Sequence, residues 1–271
     1  MAGSLHSEGL QDLLPCLSVV IPAYNEQETL RNVVEKVLQL PLALEVIVVD
    51  DCSQDATPGL LADLSREYPN LHSIRHERNQ GKTAALKTGI AASSGDIVIV
   101  QDADMEYDPA EIPEVVGPII CDKADIVYGS RFLVRRTTRV LYFYHFLANQ
   151  ILTFWSNLLT NMNMTDVEIG YKAFRGNIIR DMIISSSGFG FEIEVTAKVA
   201  KLGVRIFEVP ISYYGRTYEE GKKIGMIDGL HAFWYVFKYN ILVSRARSFR
   251  SFSHISAPVV ARHSANPGGY G

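Results

Sequence analysis

The sequence predicts an α/β protein with a mostly parallel central sheet and helices on both faces. Two observations carry that expectation. Between residues 17 and 131, short apolar runs alternate with amphipathic stretches of helical period. The segments that follow those runs are polar and rich in carboxylates, and in open parallel sheets ligands bind at the carboxyl ends of the strands. The 271 residues are 47% hydrophobic and 21% charged, ordinary for a globular chain able to bury a sizeable core as one large domain or two small ones.

The elements follow in order. LSVVIP, residues 17–22, is a short apolar strand closed by proline, and EQETLRNVVEKVLQL is an amphipathic helix with Asn25 as its N-cap. LEVIVVDD is a second buried strand and DATPGLLADLSREY a second helix starting near Asp55. LHSIRHE and DIVIVQDAD are the third and fourth strands, with GKTAALKTGIAAS a helix between them. DPAEIPEVVGPII is a fourth helix, capped by Asp108 with Pro109 in its first position, and ADIVYGSR is a fifth strand. After Arg131 the pattern changes. GYKAFRG and VRIFEVPISYYG read as strands, GFEIEVTAKVAKLG as a helix, RTYEEGKKIG as a basic loop, and DGLHAFWYVFKYNILV as a last helix leading into SRARSFR. Residues 1–15 are expected to be a flexible segment, 16–245 the main domain with halves at about 16–131 and 132–245, and 246–271 a basic then disordered tail.

Charge is distributed unevenly. Residues 1–130 hold 21 acids and 8 bases, net −13, and residues 131–271 hold 9 acids and 18 bases, net +9. An acidic half suits a metal site, and a basic half suits a phosphate or a membrane surface. No nucleic-acid partner is expected. Cys16, Cys52 and Cys121 have no zinc spacing and are odd in number, which fits buried thiols in a reducing compartment. The first fifteen residues lack the basic and apolar regions of a secretory signal. The longest apolar stretch, Val140 to Leu159, is interrupted by His145, Asn149, Gln150 and Asn157 and reads as an interfacial or core helix, not a span.

The chemistry concentrates at QDADMEYDP. Asp102, Asp104 and Glu106 are spaced two apart after an apolar strand, and on an extended chain alternate residues face the same way. Carboxylates this close repel, and a hard divalent cation such as Mg²⁺ or Mn²⁺, carrying phosphates, would offset that repulsion. The GKT of NQGKTAALKTG lacks the glycine six residues before the lysine, where His76 stands, so a P-loop is excluded. Strand one leads into PAYNEQ, not Gly-x-Gly-x-x-Gly, which argues against a nicotinamide site.

VVIPAYNE, VIVVDDCSQDAT, NQGKTAALKTG, QDADMEYDP and GSR, in this order, resemble family 2 glycosyltransferases of the GT-A fold over roughly residues 17–131. TDVEIGYKAFR, FGFEIEVTAKVAKLG and VPISYYGRTYEEGKKIG resemble the polyprenyl-phosphate branch, which includes dolichyl-phosphate mannosyltransferase. The resemblance implies a Rossmann-like nucleotide-binding half and C-terminal amphipathic helices. It places Pro22, Tyr24 and Glu26 in the nucleoside pocket with Val49 and Asp51 beside the base. Asp102, Ala103 and Asp104 would hold the sugar nucleotide, and Asp102, Asp104 and Glu106 the metal. Arg131, Arg216 and Lys222 match basic positions that grip donor and acceptor phosphates, around a TYEE lid.

The implied activity is metal-dependent, inverting transfer of a hexose from a nucleotide sugar of the GDP-mannose or UDP-glucose type to a polyprenyl or dolichyl phosphate. A lipid phosphate is already anionic at neutral pH and needs no strong base, so direct displacement is expected. Asp104 and Arg131 are catalytic candidates. Asp166 is a third, read as base, as substrate orienter or as partner of an arginine. Arg131, Arg135, Arg136 and Arg139 before the aromatic stretch suit a helix in a headgroup region, and the last helix with Arg245, Arg247 and Arg250 repeats that arrangement. Attachment is expected to be peripheral, on the cytoplasmic face, with a homo-oligomer or membrane partner subunit as open possibilities. Two alternatives stand beside this reading: a family 2 transferase using a soluble or polysaccharide acceptor, and a non-catalytic nucleotide-sugar-binding module at a membrane.

Overall fold

The computed structural model describes residues 15–42, 44–133, 139, 140, 142–217, 219 and 226–251. The expectations for residues 1–14 and 252–271, and for Arg135, Arg136 and Lys222, fall outside these residues. Residues 246–251 do not form a loose tail: Phe249 is buried in the core and bridges Met182, and the Arg250 backbone donates to the Asp181 carbonyl.

Near-continuous apolar runs make the strands. β1 (Leu17–Ala23), β2 (Leu44–Asp50), β3 (Leu71–Arg75) and β4 (Ile97–Val100) form the first half, and β5 (Ile126–Ser130), β6 (Lys172–Arg175) and β7 (Ile206–Pro210) complete it. They join in one seven-stranded sheet of order β3-β2-β1-β4-β6-β5-β7. All neighbours are parallel except β6, which runs antiparallel to β4 and β5. Between strands lie α1 (Leu30–Leu38), α2 (Thr57–Glu67), α3 (Lys82–Ala92) and α4 (Ile112–Ile120). α1 buries Leu30, Val33, Val34 and Val37, and α4 buries Ile112, Val115, Val116 and Ile119, both at the spacing of a single helix face. After β5 come α5 (Phe143–Thr160), α6 (Gly176–Asp181), α7 (Phe191–Val199) and α8 (Met226–Phe237), the last continued by a π-helical turn, Lys238–Leu242.

Three local expectations are corrected. Asn25 does not cap α1, which starts five residues later. It adopts a left-handed conformation, and its side-chain oxygen accepts from the Gln54 backbone, tying the loop after β1 to the loop after β2. β4 stops at Val100, so Asp102, Asp104 and Glu106 lie on a turn, with Met105 at positive φ, and not on extended chain. The thiols are not buried: Cys121 is exposed and Cys16 and Cys52 are partly exposed, because each sits at the end of an element. Asp108, by contrast, does cap a short 3₁₀ turn, Pro109–Glu111, accepting from the Ala110 backbone.

α5 distributes polarity in reverse. It buries Asn149, Thr153 and Ser156 with Leu152, and it exposes Phe143, Tyr144, Leu147, Phe154, Trp155 and Leu158. The inward polar stripe holds the loop before β6: Thr153 accepts from the Val167 backbone, and Asn157 donates to the Met164 carbonyl. α8 packs beside α5 and also exposes Leu230, Phe233, Trp234 and Phe237. Among the described residues no helix is long and apolar enough to cross a membrane.

Candidate active site

A cleft of about 930 Å³ opens at the carboxyl ends of the strands. Pro22, Tyr24 and Glu26 line it from the end of β1, and Asp51 from the end of β2. Asp102, Ala103, Asp104 and Glu106 come from the turn after β4, Arg131 from the end of β5, and Arg216 from the segment after β7. Two residues expected at the site are not in its wall. Val49 is wholly buried in a cluster with Ile47 and the cleft-lining Ala85, and Asp166 lies wholly buried behind Arg131.

Backbone geometry sets the loop at the entrance. Gly81 has φ +87, a conformation that favours glycine, and it lets the chain turn into α3. The Asp51 carboxylate fixes that turn by accepting from the backbone of Gln80 at 2.9 Å and of Gly81 at 2.7 Å, and it also meets His76 at 2.7 Å. Asp51 is therefore engaged in shaping the loop from inside the cleft wall.

The three spaced carboxylates do not converge on one point. Asp102 turns to Lys82, at 2.9 Å, and Lys82 also meets Glu192 at 3.0 Å. Asp104 and Glu106 turn to Arg216. Its guanidinium reaches Asp104 at 2.8 Å and Glu26 at 3.3 Å, and its backbone N–H donates to Glu106 at 2.8 Å. Tyr213 donates its hydroxyl to the other Glu106 oxygen at 2.7 Å. Burial, then the charges of Asp102 and Glu106, push the Asp104 carboxyl up to about 7, against the pull of Arg216. Among the described residues no three acids, histidines or cysteines are arranged to hold a metal. The donor set is nonetheless all carboxylate oxygen, which suits a hard cation, and a cationic guanidinium already rests on it.

Arg131 is held differently. Asp166 accepts from its Nε and Nη2 at 2.5 and 2.7 Å, a two-pronged pair, and the guanidinium lies 5.0 Å from the centre of the Tyr213 ring. Asn149 donates to the same carboxylate at 3.0 Å. Asp166 is wholly buried and takes these three donors, which suits an orienter of the arginine more than a base.

Sequence reasoning missed Lys82, Glu168, Glu192 and Asn149, all in the cleft wall. Lys82 stood in a segment read as a helix, as a failed P-loop and as one motif of the resemblance, with no role given to the lysine itself, and Asn149 as an interruption of an apolar stretch. That interruption was a usable signal: a polar residue inside an apolar helix marks the side that meets polar groups. Burial and the Asp166 and Glu192 charges raise the Glu168 carboxyl, opposed by Arg131.

Comparison with known proteins agrees with this architecture. The family model described as Glycosyl transferase family 2 matches residues 18–183. The chain is 29% identical over 222 residues to the undecaprenyl-phosphate mannosyltransferase of Micrococcus luteus, covering 78% of this chain and 88% of that one. It is 31% identical over 214 residues to the dolichol-phosphate mannosyltransferase of Pyrococcus furiosus, covering 77% of this chain and 59% of that longer one. Glucosyl-3-phosphoglycerate synthase from Mycobacterium tuberculosis, solved with Mg²⁺ and uridine diphosphate, superposes with a TM-score of 0.65 at 21% identity, covering 86% of this chain and 83% of that one. The sheet and its flanking helices are of the GT-A type. The chain belongs to glycosyltransferase family 2, and it is a glycosyltransferase.

Proposed function

We propose that this enzyme transfers a hexose from a nucleotide sugar, of the GDP-mannose or UDP-glucose type, to a polyprenyl phosphate at a membrane surface, with inversion and with a divalent cation. The observation that carries the reading is the pairing of opposite functions in one cleft: carboxylates after β4 on one side and the buttressed Arg131 on the other. Its similarity to the two polyprenyl-phosphate mannosyltransferases supports the acceptor. Solved neighbours that carry Mn²⁺ or Mg²⁺ with uridine diphosphate support the metal.

The residues divide the work. Pro22, Tyr24 and Glu26 border the nucleoside, beside the loop fixed by Asp51. Asp102, Asp104 and Glu106 would hold the cation, which supplies charge neutralisation at the departing diphosphate. Arg131 presents a planar fork to the acceptor phosphate, and Asp166 keeps that fork charged and oriented. Arg216, with Lys222 beyond it in sequence, reaches phosphate once it leaves the carboxylates. The acceptor is already an anion, so no residue must take a proton from it. The outward apolar faces of α5 and α8, beside Arg139 and Arg245, suit a peripheral position where a polyprenyl chain lies in lipid.

The test is a donor screen. Purified protein with Mg²⁺ or Mn²⁺ and a short polyprenyl phosphate is incubated with each nucleotide sugar, and lipid-linked sugar is scored by mass. One productive donor is expected, with turnover lost on chelation and lowered at least about 100-fold by Asp104→Asn. Product on a soluble saccharide but none on the lipid would replace the acceptor assignment. Full turnover by Asp104→Asn would end the assignment of the carboxylates.

A further inference from the structure

Arg131 is steered from two sides, and both sides trace back to one carboxylate that does not line the cleft, Glu208. β7 is an edge strand of the sheet and runs parallel to β5, with Glu208 in register with Tyr128 and Pro210 with Ser130. Alternate residues of a strand share a face, so Glu208 and Ser130 stand on the same side of the sheet. Between them lies Thr165, which precedes Asp166 in the loop before β6. Its backbone N–H donates to both Glu208 oxygens, at 2.9 and 3.1 Å, and its hydroxyl donates to one of them at 3.0 Å. The Thr165 and Ser130 hydroxyls meet at 2.6 Å. The Ser130 oxygen accepts from the backbone of Phe132 and of Leu133, each at 3.1 Å, and so closes the turn that holds Arg131. The direction of the protons follows. An ionised carboxylate only accepts, so the Thr165 hydroxyl gives its proton to Glu208. A hydroxyl has one proton, so at the 2.6 Å contact Ser130 donates and Thr165 accepts. That leaves the Ser130 lone pairs to Phe132 and Leu133. Ser130 is wholly buried, so a break in this chain leaves its hydroxyl without an acceptor and out of reach of water.

We propose that Glu208 is a positioning residue for the transfer: through Thr165 and Ser130 it orients Arg131 toward the acceptor phosphate. This rests on the reading of Arg131 as the fork that receives that phosphate. Thr165 adjoins Asp166, whose carboxylate takes the guanidinium in two bonds, and Ser130 adjoins Arg131 itself. Two residues bonded only to each other can swing together. Tied to one carboxylate on the edge strand, the pair is fixed relative to the sheet, and a small displacement of a phosphate-binding fork is costly in rate. Each hydroxyl accepts best while passing its own proton on, so the chain acts as a unit. The strands do not depend on it. The Ile211 backbone donates to the Ser130 carbonyl at 3.1 Å, and the β5–β7 ladder runs from Ile126 to Ser130. Loss of the side-chain bonds therefore falls on the aim of Arg131 more than on the fold.

Steady-state transfer tests this, with Mg²⁺, a short polyprenyl phosphate, and GDP-mannose or UDP-glucose, whichever the wild type turns over. Thr165→Val keeps the shape and removes the hydroxyl. It should lower kcat/KM for the polyprenyl phosphate about ten-fold and leave KM for the sugar nucleotide within about two-fold. Thr165→Ser, which restores the hydroxyl, should bring the acceptor kcat/KM back to within about three-fold of the wild type. Glu208→Ala should match Thr165→Val, and the double variant should be no worse than either single one, because a broken chain has nothing further to lose. Thermal unfolding and calorimetric binding of GDP or UDP show that fold and donor site are intact in Thr165→Val. Wild-type acceptor kinetics in that variant, an equal loss on the donor side, or additive losses in the double variant would each overturn the role of Glu208 and leave the transferase reading standing. If the wild type forms no lipid-linked sugar from either donor, the acceptor reading falls and this proposal with it.

Discussion

Arg216 is the residue on which the state of the cleft turns. Its guanidinium serves as the counter-ion of Asp104 and Glu26. A metal and this arginine compete for the same oxygens, so Arg216→Gln should bind Mn²⁺ several-fold more tightly than the wild type while losing transfer activity. Electron paramagnetic resonance of free Mn²⁺ measures the first effect, and equal affinity in both proteins would show that the guanidinium does not compete. Asp166 makes the opposite kind of pair, one that persists. Asp166→Asn leaves Arg131 buried without its counter-charge, which should cost roughly 3–5 kcal/mol in unfolding free energy. It should lower kcat far more than it raises KM for the donor, because the damage falls on the acceptor side. A matched loss in both parameters would put Asp166 in the donor site instead.

At the scale of elements, α5 shows how a helix can be read from either side. Its interrupted apolar stretch reads as an interfacial or core helix, and in the fold its polar residues face the protein while its aromatic residues face out. Phe154 and Trp155 lie on the outer face, with ring centres 5.9 Å apart. The double variant Phe154→Glu with Trp155→Glu should reduce sedimentation with anionic liposomes at low salt at least about ten-fold, without changing donor binding in solution. Undiminished sedimentation would remove α5 from the membrane-facing surface.

The molecule as a whole is bolted together across its second half by an acid–base cluster remote from the cleft. Arg175 meets Asp125 at 2.7 Å and also Asp122, and Arg205 meets both acids at 2.9 Å. Burial raises the Asp125 carboxyl, but hydrogen bonds from Arg205 and Arg175 outweigh it and bring the group down from 3.8 to about 2. A depressed folded-state value means stability that is fully present above the ordinary pKa and is lost as pH falls through the folded one. The melting temperature should therefore decline between about pH 4 and pH 2, and Asp125→Asn should flatten that part of the profile. An unchanged slope in the variant would assign acid sensitivity elsewhere.

The sequence by itself determined the α/β class, the order of strands and helices, and the gathering of Tyr24, Asp51, Asp102, Asp104 and Arg131 at one end of the sheet, whereas Arg216 was placed there only by the family resemblance. These follow from local causes: apolar runs of strand length, helix periodicity, and the rule that parallel strands deliver their carboxyl ends to one edge. Only the tertiary structure decided which partner each charge takes. Lys82 and Glu192 are 110 residues apart in the chain, and Arg216 and Asp104 are 112 apart, so no spacing could announce their pairing. The same holds for the antiparallel insertion of β6, which carries the loop of Asp166 and Glu168 into the cleft, and for Val49, whose side of the strand depends on what covers the sheet. Side-chain direction at a strand end and charge pairing across a cleft are settled by packing between distant segments, and that information appears only when the chain is folded.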